Sequence, residues 1–320
     1  MRLRSLLAGA ALAAAFGRPV LVMAQEHPAA AQEPGHAAEP VGPAQIIMPH
    51  ITDSKEIEYP CVKNIREWAC EATLPTWNVQ IGGKTVDLGL TKHVVFLILA
   101  ALVTLALLLG VASSHKRRSR EVGHPKGFAA GIEAVILYLR NEIYLPVLGG
   151  HGGEKYVPFC LTLFFFIVFC NLFGLVPWGS TPTGNIAVTA TLAAITFVVI
   201  EVAGMRALGK GYISTIIYWP HEGGVLMKAM TIIMTPVEIV GKFTKPFALT
   251  IRLFANMIAG HVIILALIGL IFMFGFKIFL APLAMALFIM LLEILVAFIQ
   301  AFIFSLLAAV FIGQIRSAHH

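Results

Sequence analysis

Residues Pro236–Met273 read PVEIVGKFTKPFALTIRLFANMIAGHVIILALIGLIFM. This stretch decides the fold because it sets an arginine, Arg252, inside an apolar run long enough to cross a bilayer. A guanidinium stays protonated at any accessible pH, and a charge at mid-helix costs about 2.5–3.5 kcal/mol on the insertion scale. Either an anion faces Arg252 or the residue faces water inside the protein, so it is a functional candidate before it is a structural one.

The rest of the composition agrees with a membrane chain. Of 320 residues, 58% are hydrophobic and only 12% charged, outside the range of soluble globular chains. The expectation is an all-α multi-pass membrane protein whose solvent is the lipid bilayer. A net charge of +6 could suit nucleic acid, but the basic residues gather at the ends of apolar runs, where they set topology, so no nucleic-acid partner is expected. Cys61 and Cys70 lie in a polar stretch and Cys160 and Cys170 in an apolar one. None has the spacing of a zinc site, and no metal or cofactor is expected.

Outward from Arg252 toward the N-terminus, the chain begins MRLRSLLAGAALAAAFGRPVLVMAQE. Arg2 and Arg4, an apolar core from Leu6 to Phe16 and a small-residue site ending at Ala24 predict a secretory signal peptide over 1–24. An exported segment over 25–91 should follow: an Ala/Pro/Glu/His-rich tail with little to bury, then a small ordered cap from about Ile51 to Asp87. In an oxidising periplasm a Cys61–Cys70 disulfide and two free thiols are both open. The membrane domain is expected over 92–320.

His93–Val111 is the first predicted span, and Lys116, Arg117, Arg118 and Arg120 mark its cytoplasmic end. Phe128–Leu148 places Ile132, Val135, Ile136 and Leu139 at helical spacing and predicts an amphipathic helix on the cytoplasmic face. Val157–Val176 and Asn185–Ala203 are the second and third spans, joined by an external loop without Lys or Arg. Glu201, beside Arg206, reads as an interfacial residue. Two overlong apolar runs close the chain, Phe247–Phe276 and Ile278–Gly313. The first would make about 45 Å of helix against a hydrocarbon core of about 30 Å. A strongly tilted helical hairpin with its turn at Phe274–Lys277 outside and its C-terminus in the cytoplasm is expected, about five spans in all.

Two fragments resemble enzyme motifs and fail on spacing. Gly82-Gly83-Lys84-Thr85 lacks the earlier glycine of a phosphate-binding loop, since position 78 is Asn78. His221-Glu222 would begin a zinc-protease helix, but Val225 stands where the second histidine belongs. No catalytic serine, cysteine or paired-aspartate constellation is visible, so intrinsic enzyme chemistry is not expected.

The polar residues that remain gather around Arg252. On a continuous helix Asn256 and Ala259 follow it at four and seven residues and share its face. Ala255, Ala259 and Gly260 would let another helix approach closely. His261 points elsewhere, with the last helix among its candidate neighbours, where Glu293 and Gln300 are seven apart on one face. Glu238 precedes the run. Each has a plainer alternative: a structural Arg252–Glu293 ion pair, Glu293 and Gln300 as interhelical hydrogen-bonding groups, Asn256 as a packing amide, His261 as a core histidine, and Glu238 as a solvated helix-end charge.

Several of these motifs, taken together, resemble one family. Lys245-Pro246 through Arg252-Leu253-Phe254-Ala255-Asn256-Met257 to Gly260-His261 is similar to the pattern of subunit a of F-type ATP synthases. So are Asn171-Leu172-Phe173-Gly174-Leu175-Val176-Pro177, Pro182-Thr183-Gly184-Asn185 and Gln300-Ala301-Phe302-Ile303-Phe304. The resemblance runs in order from about His93 to the C-terminus. It implies a non-catalytic proton-conducting stator subunit in a bacterial inner membrane, beside the ring of subunit c, with the peripheral stalk subunit b and the rest of the synthase as partners. It implies that Arg252 is the essential arginine separating two half-channels, that Asn256, Gln300 and Glu238 line them, and that His261 and Glu293 hold two positions where members carry a histidine and an acid in either arrangement. The choice between H⁺ and Na⁺ stays open. An ion-coupled secondary transporter is the competing reading, and it predicts internal repeats of similar hydropathy; none is visible.

Overall fold

The computed structural model describes residues 52–59, 70–76, 78–81, 84–87, 89–118, 128–149, 152–176, 179–209, 211–212, 225–274 and 279–317. The expected signal peptide over 1–24, the tail that follows it, Cys61 of the possible disulfide and all but Phe274 of the expected turn at Phe274–Lys277 lie outside the described residues.

The membrane part is all-α. Its helices are α1 (Lys92–Arg118), α2 (Phe128–Tyr138), α3 (Leu145–Leu148), α4 (Val157–Gly174), α5 (Ile186–Leu208), α6 (Val225–Phe274) and α7 (Leu280–Ser317). Among the described residues five helical stretches are long and apolar enough to cross a membrane: Lys92–Ser113, Glu154–Gly174, Ile186–Leu208, Ile232–Ile271 and Leu280–Arg316. The chain is a multi-pass membrane protein.

The chief departure from expectation is α6, which begins at Val225 rather than near Phe247. The segment before Phe247 carries Pro236, Glu238, Lys242, Lys245 and Pro246, which dilute the apolar pattern. Both prolines lie inside the helix, and each removes one backbone donor. Thr244 Oγ1 donates to Val240 O at 2.7 Å and Thr250 Oγ1 to Pro246 O at 2.9 Å, the back-bond to the carbonyl four residues earlier that threonine makes within a helix.

The chain divides into two compact units, one of 1–93 with 258–293 and the other of 94–257 with 294–320. In the first, the expected cap contains two antiparallel hairpins. Strand β1 (Glu56–Tyr59) pairs with β2 (Cys70–Thr73), and β3 (Asn78–Ile81) with β4 (Lys84–Asp87). Ile81 stands opposite Lys84 at one end of the second ladder. The cap is fastened to the first turn of α1. Lys92 N donates to Ser54 O at 2.9 Å, His93 N donates to Asp53 Oδ1 at 3.3 Å, and His93 Nδ1 lies 2.6 Å from the same oxygen. Burial pushes the Asp53 carboxyl up, but the hydrogen bonds and charge of His93 pull it further down, and the group sits below the ordinary carboxylate value.

In the second unit the core is built around α4, which is apolar on every side and the most enclosed of the spans. Cys160, Ile167 and Cys170 are fully buried on it, and Leu192, Ala203, Leu253, Ala301, Phe304, Ala308 and Ile312 complete the interior. By contrast α1 leaves Ile98, Leu102, Leu105 and Leu109 exposed at helical spacing, a stripe suited to lipid.

The amphipathic segment after α1 is helical throughout, but between α2 and α3 it widens into a π-helical stretch, Leu139–Tyr144. Leu139 and Tyr144, five residues apart, would diverge by about 140° in α geometry. The wider turn brings both inward, where each is buried and Tyr144 shares a 2.7 Å hydrogen bond with Ser305. Gly313 lets α7 close on this segment, since a side chain there would overlap the Val147 carbonyl.

Candidate functional site

In the second unit, Leu249, Leu253 and Met257 recur every four residues along α6 and are buried, which fixes how the helix is rotated. The rotation leaves Arg252, Ala255 and Asn256 exposed. Within this unit, and among the described residues, Arg252 takes part in no ion pair or hydrogen bond. An exposed, uncompensated guanidinium on a stretch of helix apolar enough to span a membrane is the arrangement that a mobile external acid could use.

One turn beyond Arg252, Asn256 Nδ2 donates to Gln300 Oε1 at 3.1 Å. Gln300 is buried between Ala297, Ala301 and Phe304 on α7, each wholly inaccessible. Its Nε2 has no partner among the described residues. A buried amide with a spare donor is costly in an apolar setting, and a water accepting from it would satisfy it.

Asn171 and Thr183 support this part of α7. Thr183 Oγ1 donates to Asn171 Oδ1 at 2.7 Å, and Asn171 Nδ2 donates to the Ala297 carbonyl at 3.3 Å. Both side chains are buried, so the loop before α5 and the end of α4 together fix α7 one turn before Gln300. Asn185, which follows, caps α5 by accepting from Ala187 N at 2.9 Å, as an N-cap side chain does.

Glu238 is exposed on α6, fourteen residues before Arg252, about 21 Å away along the axis. Glu201, read from sequence as an interfacial residue, pairs with Lys242, Oε2 to Nζ at 3.4 Å. Forty-one residues separate the two, and no local pattern joins them.

The first unit holds the other two candidates. His261 is half-buried on α6. Glu293 on α7 is buried, and its Oε2 has no hydrogen-bond partner among the described residues. Its carboxylate lies directly against Gly260, the residue before His261, where an added methyl group would overlap it. The small residue foreseen as a contact for another helix thus makes room for an acid. Cys70 stands on β2, while Cys61 is outside the described residues.

Comparison with known proteins bears on the same region. The family of the ATP synthase A chain matches residues 94–313. The ATP synthase subunit a of Chloroherpeton thalassium is 49% identical over 237 residues, covering 74% of this chain and 68% of that protein. That of Chlorobium phaeobacteroides is 43% identical over 290 residues, covering 89% and 78%. That of Myxococcus xanthus is 46% identical over 240 residues, covering 73% and 76%.

Proposed function

The chain belongs to the ATP synthase A chain family, and on that premise we propose that it is the non-catalytic stator subunit that passes protons to and from the carboxylates of a ring of subunit c. The nucleotide chemistry then belongs to partner subunits of the complex, and the peripheral stalk subunit b holds this one still.

The observation that carries this reading is Arg252, exposed on α6 and without an ion pair among the described residues of its own unit. A carboxylic acid facing lipid is held neutral because desolvation penalises its charged form. Brought to about 4 Å from a guanidinium at an effective dielectric near 20, the carboxylate gains roughly 4 kcal/mol. The ring acid therefore releases its proton near Arg252 and regains one before it returns to lipid. Two half-channels, each open to one side, make that exchange directional: His261 and Glu293 serve the outer, Glu238 the inner, with Asn256 and Gln300 beside the arginine. The fixed charge of Arg252 opposes a direct leak between them. Each proton crossing 100 mV contributes about 2.3 kcal/mol.

On this reading the exported cap and the N-terminus are periplasmic and the C-terminus cytoplasmic, in a bacterial inner membrane. Co-purification tests the partner directly. Mild detergent extraction through a tag on this chain should bring down a small, very apolar two-helix protein in several copies. Recovery of this chain alone, under conditions where the synthase stays active, would contradict the assignment.

A further inference from the structure

On α6, Glu238, Lys242, Lys245, Arg252 and Asn256 recur at intervals of four, three, seven and four residues, so they form one stripe along the helix. Protons that travel between the ring acid at Arg252 and the inner surface by way of Glu238 pass Lys242, about 6 Å from Glu238 along the axis. A bare ammonium there would repel them. Lys245, nearer Arg252, is exposed and has its Nζ 4.6 Å from the centre of the Phe311 ring. Lys242 is the cation of the stripe that meets a carboxylate: its Nζ donates to Glu201 Oε2 at 3.4 Å and to the Tyr212 hydroxyl at 3.0 Å, and it sits 4.7 Å from the centre of the Tyr212 ring. The side chains of Lys242 and Glu201 are only 13% and 20% exposed, so solvent and salt screen the pair weakly.

We propose that Glu201 is the counterion that keeps the inner half-channel open to protons by cancelling the charge of Lys242. This inference rests on the proton-channel reading above. Tyr212 holds the ammonium through its hydroxyl and ring face, but it carries no charge, and only Glu201 removes the field. Lys242 and Glu201 are thus positioning residues of an electrostatic kind: neither exchanges the transported proton, and each sets the potential that the proton crosses.

A mechanical clamp and a counterion give opposite results on double substitution. A clamp is lost whichever partner is removed, and removing both restores nothing. A counterion is needed only while Lys242 is charged. The test uses the assembled complex in inverted membrane vesicles, with ATP synthesis driven by an imposed pH gradient and membrane potential and normalised to the amount of this chain in the membrane. E201Q is expected to lower the rate about tenfold, a modest barrier for one uncompensated charge near the path. E201Q/K242Q is expected to return to within about threefold of the parent. A double variant as slow as E201Q, or an E201Q variant at the parent rate, would overturn the proposal.

Should E201Q be depleted from the membrane, the exchange E201K/K242E takes its place. It preserves a neutral pair and is expected to run at no less than about a third of the parent rate, whereas a rate as low as that of K242E alone would overturn the counterion role. R252Q in the same vesicles separates the two levels. Synthesis by R252Q at the parent rate would remove the channel reading itself; an inactive R252Q beside a fully active E201Q would remove only the role of Glu201.

Discussion

Asn256 on α6 donates a hydrogen bond to Gln300 on α7, 3.1 Å from Nδ2 to Oε1, one helical turn beyond Arg252. Hydrogen bonds between membrane helices contribute only about 0.6 kcal/mol on average, so this one contributes little to holding the helices together. Gln300→Leu should therefore leave the amount of inserted protein within about threefold of the parent, because about 0.6 kcal/mol is worth less than a factor of three, while cutting proton-driven ATP synthesis at least about tenfold. Immunoblots and synthesis rates on the same vesicles check both halves, and an equal fall in both would make the amide a packing group.

Glu293 lies so close to Gly260 that a methyl group on the glycine would overlap its carboxylate. Gly260→Ala should displace the acid and slow ATP-driven proton pumping about tenfold, equivalent to about 1.4 kcal/mol. Shortening the acid by one methylene in Gly260→Ala with Glu293→Asp should restore part of the rate. Fluorescence quenching of a pH-sensitive dye in inverted vesicles reads it, and a Gly260→Ala variant that pumps normally would show that the position of Glu293 is unimportant.

The buried Asn171–Thr183 pair anchors α7 through the Ala297 carbonyl. Asn171→Leu strands a buried hydroxyl and should cost about 1–3 kcal/mol, visible as a lower temperature for loss of the detergent-solubilised complex. Thr183→Val should cost less, because Asn171 keeps its bond to Ala297. A larger loss from Thr183→Val than from Asn171→Leu would reverse the order of dependence.

The Asp53–His93 contact gives the cap a pH dependence. The Asp53 carboxyl is held below its ordinary value of 3.8 in the folded cap. A depressed folded value means that the contact stabilises fully above that ordinary value and is lost as pH falls through the folded one. Asp53→Ala should remove it at every pH, at a cost of about 1.5 kcal/mol, the low end for a hydrogen bond to a charged group. Limited proteolysis of the cap in right-side-out vesicles at neutral pH should then be faster in the variant; equal rates would mean that other contacts hold the cap.

How much of this was legible in the sequence depended on whether the signal was local. The five spans follow from hydropathy, and Arg252, Asn256 and their shared face from a spacing of four. The start of α6 was hidden because Pro236, Pro246 and three charges interrupt the apolar run, although the helix continues through them. The widening at Leu139–Tyr144 answers a tertiary demand, the burial of Tyr144 against Ser305, and has no pattern of its own. The partnership of Glu201 with Lys242, like that of Asn171 with Ala297, joins residues far apart in sequence and becomes visible only when the helices are packed. The β3–β4 hairpin could have been found, since Gly82-Gly83 sits between two short alternating runs.

The most direct measurement replaces the arginine by the other permanent-looking cation. In inverted vesicles energised by respiration, Arg252→Lys should insert at the parent level yet make no ATP, because an ammonium can shed its proton and lacks the planar fork that meets a carboxylate. ATP synthesis by that variant at the parent rate would contradict a role for Arg252 in proton exchange with the ring.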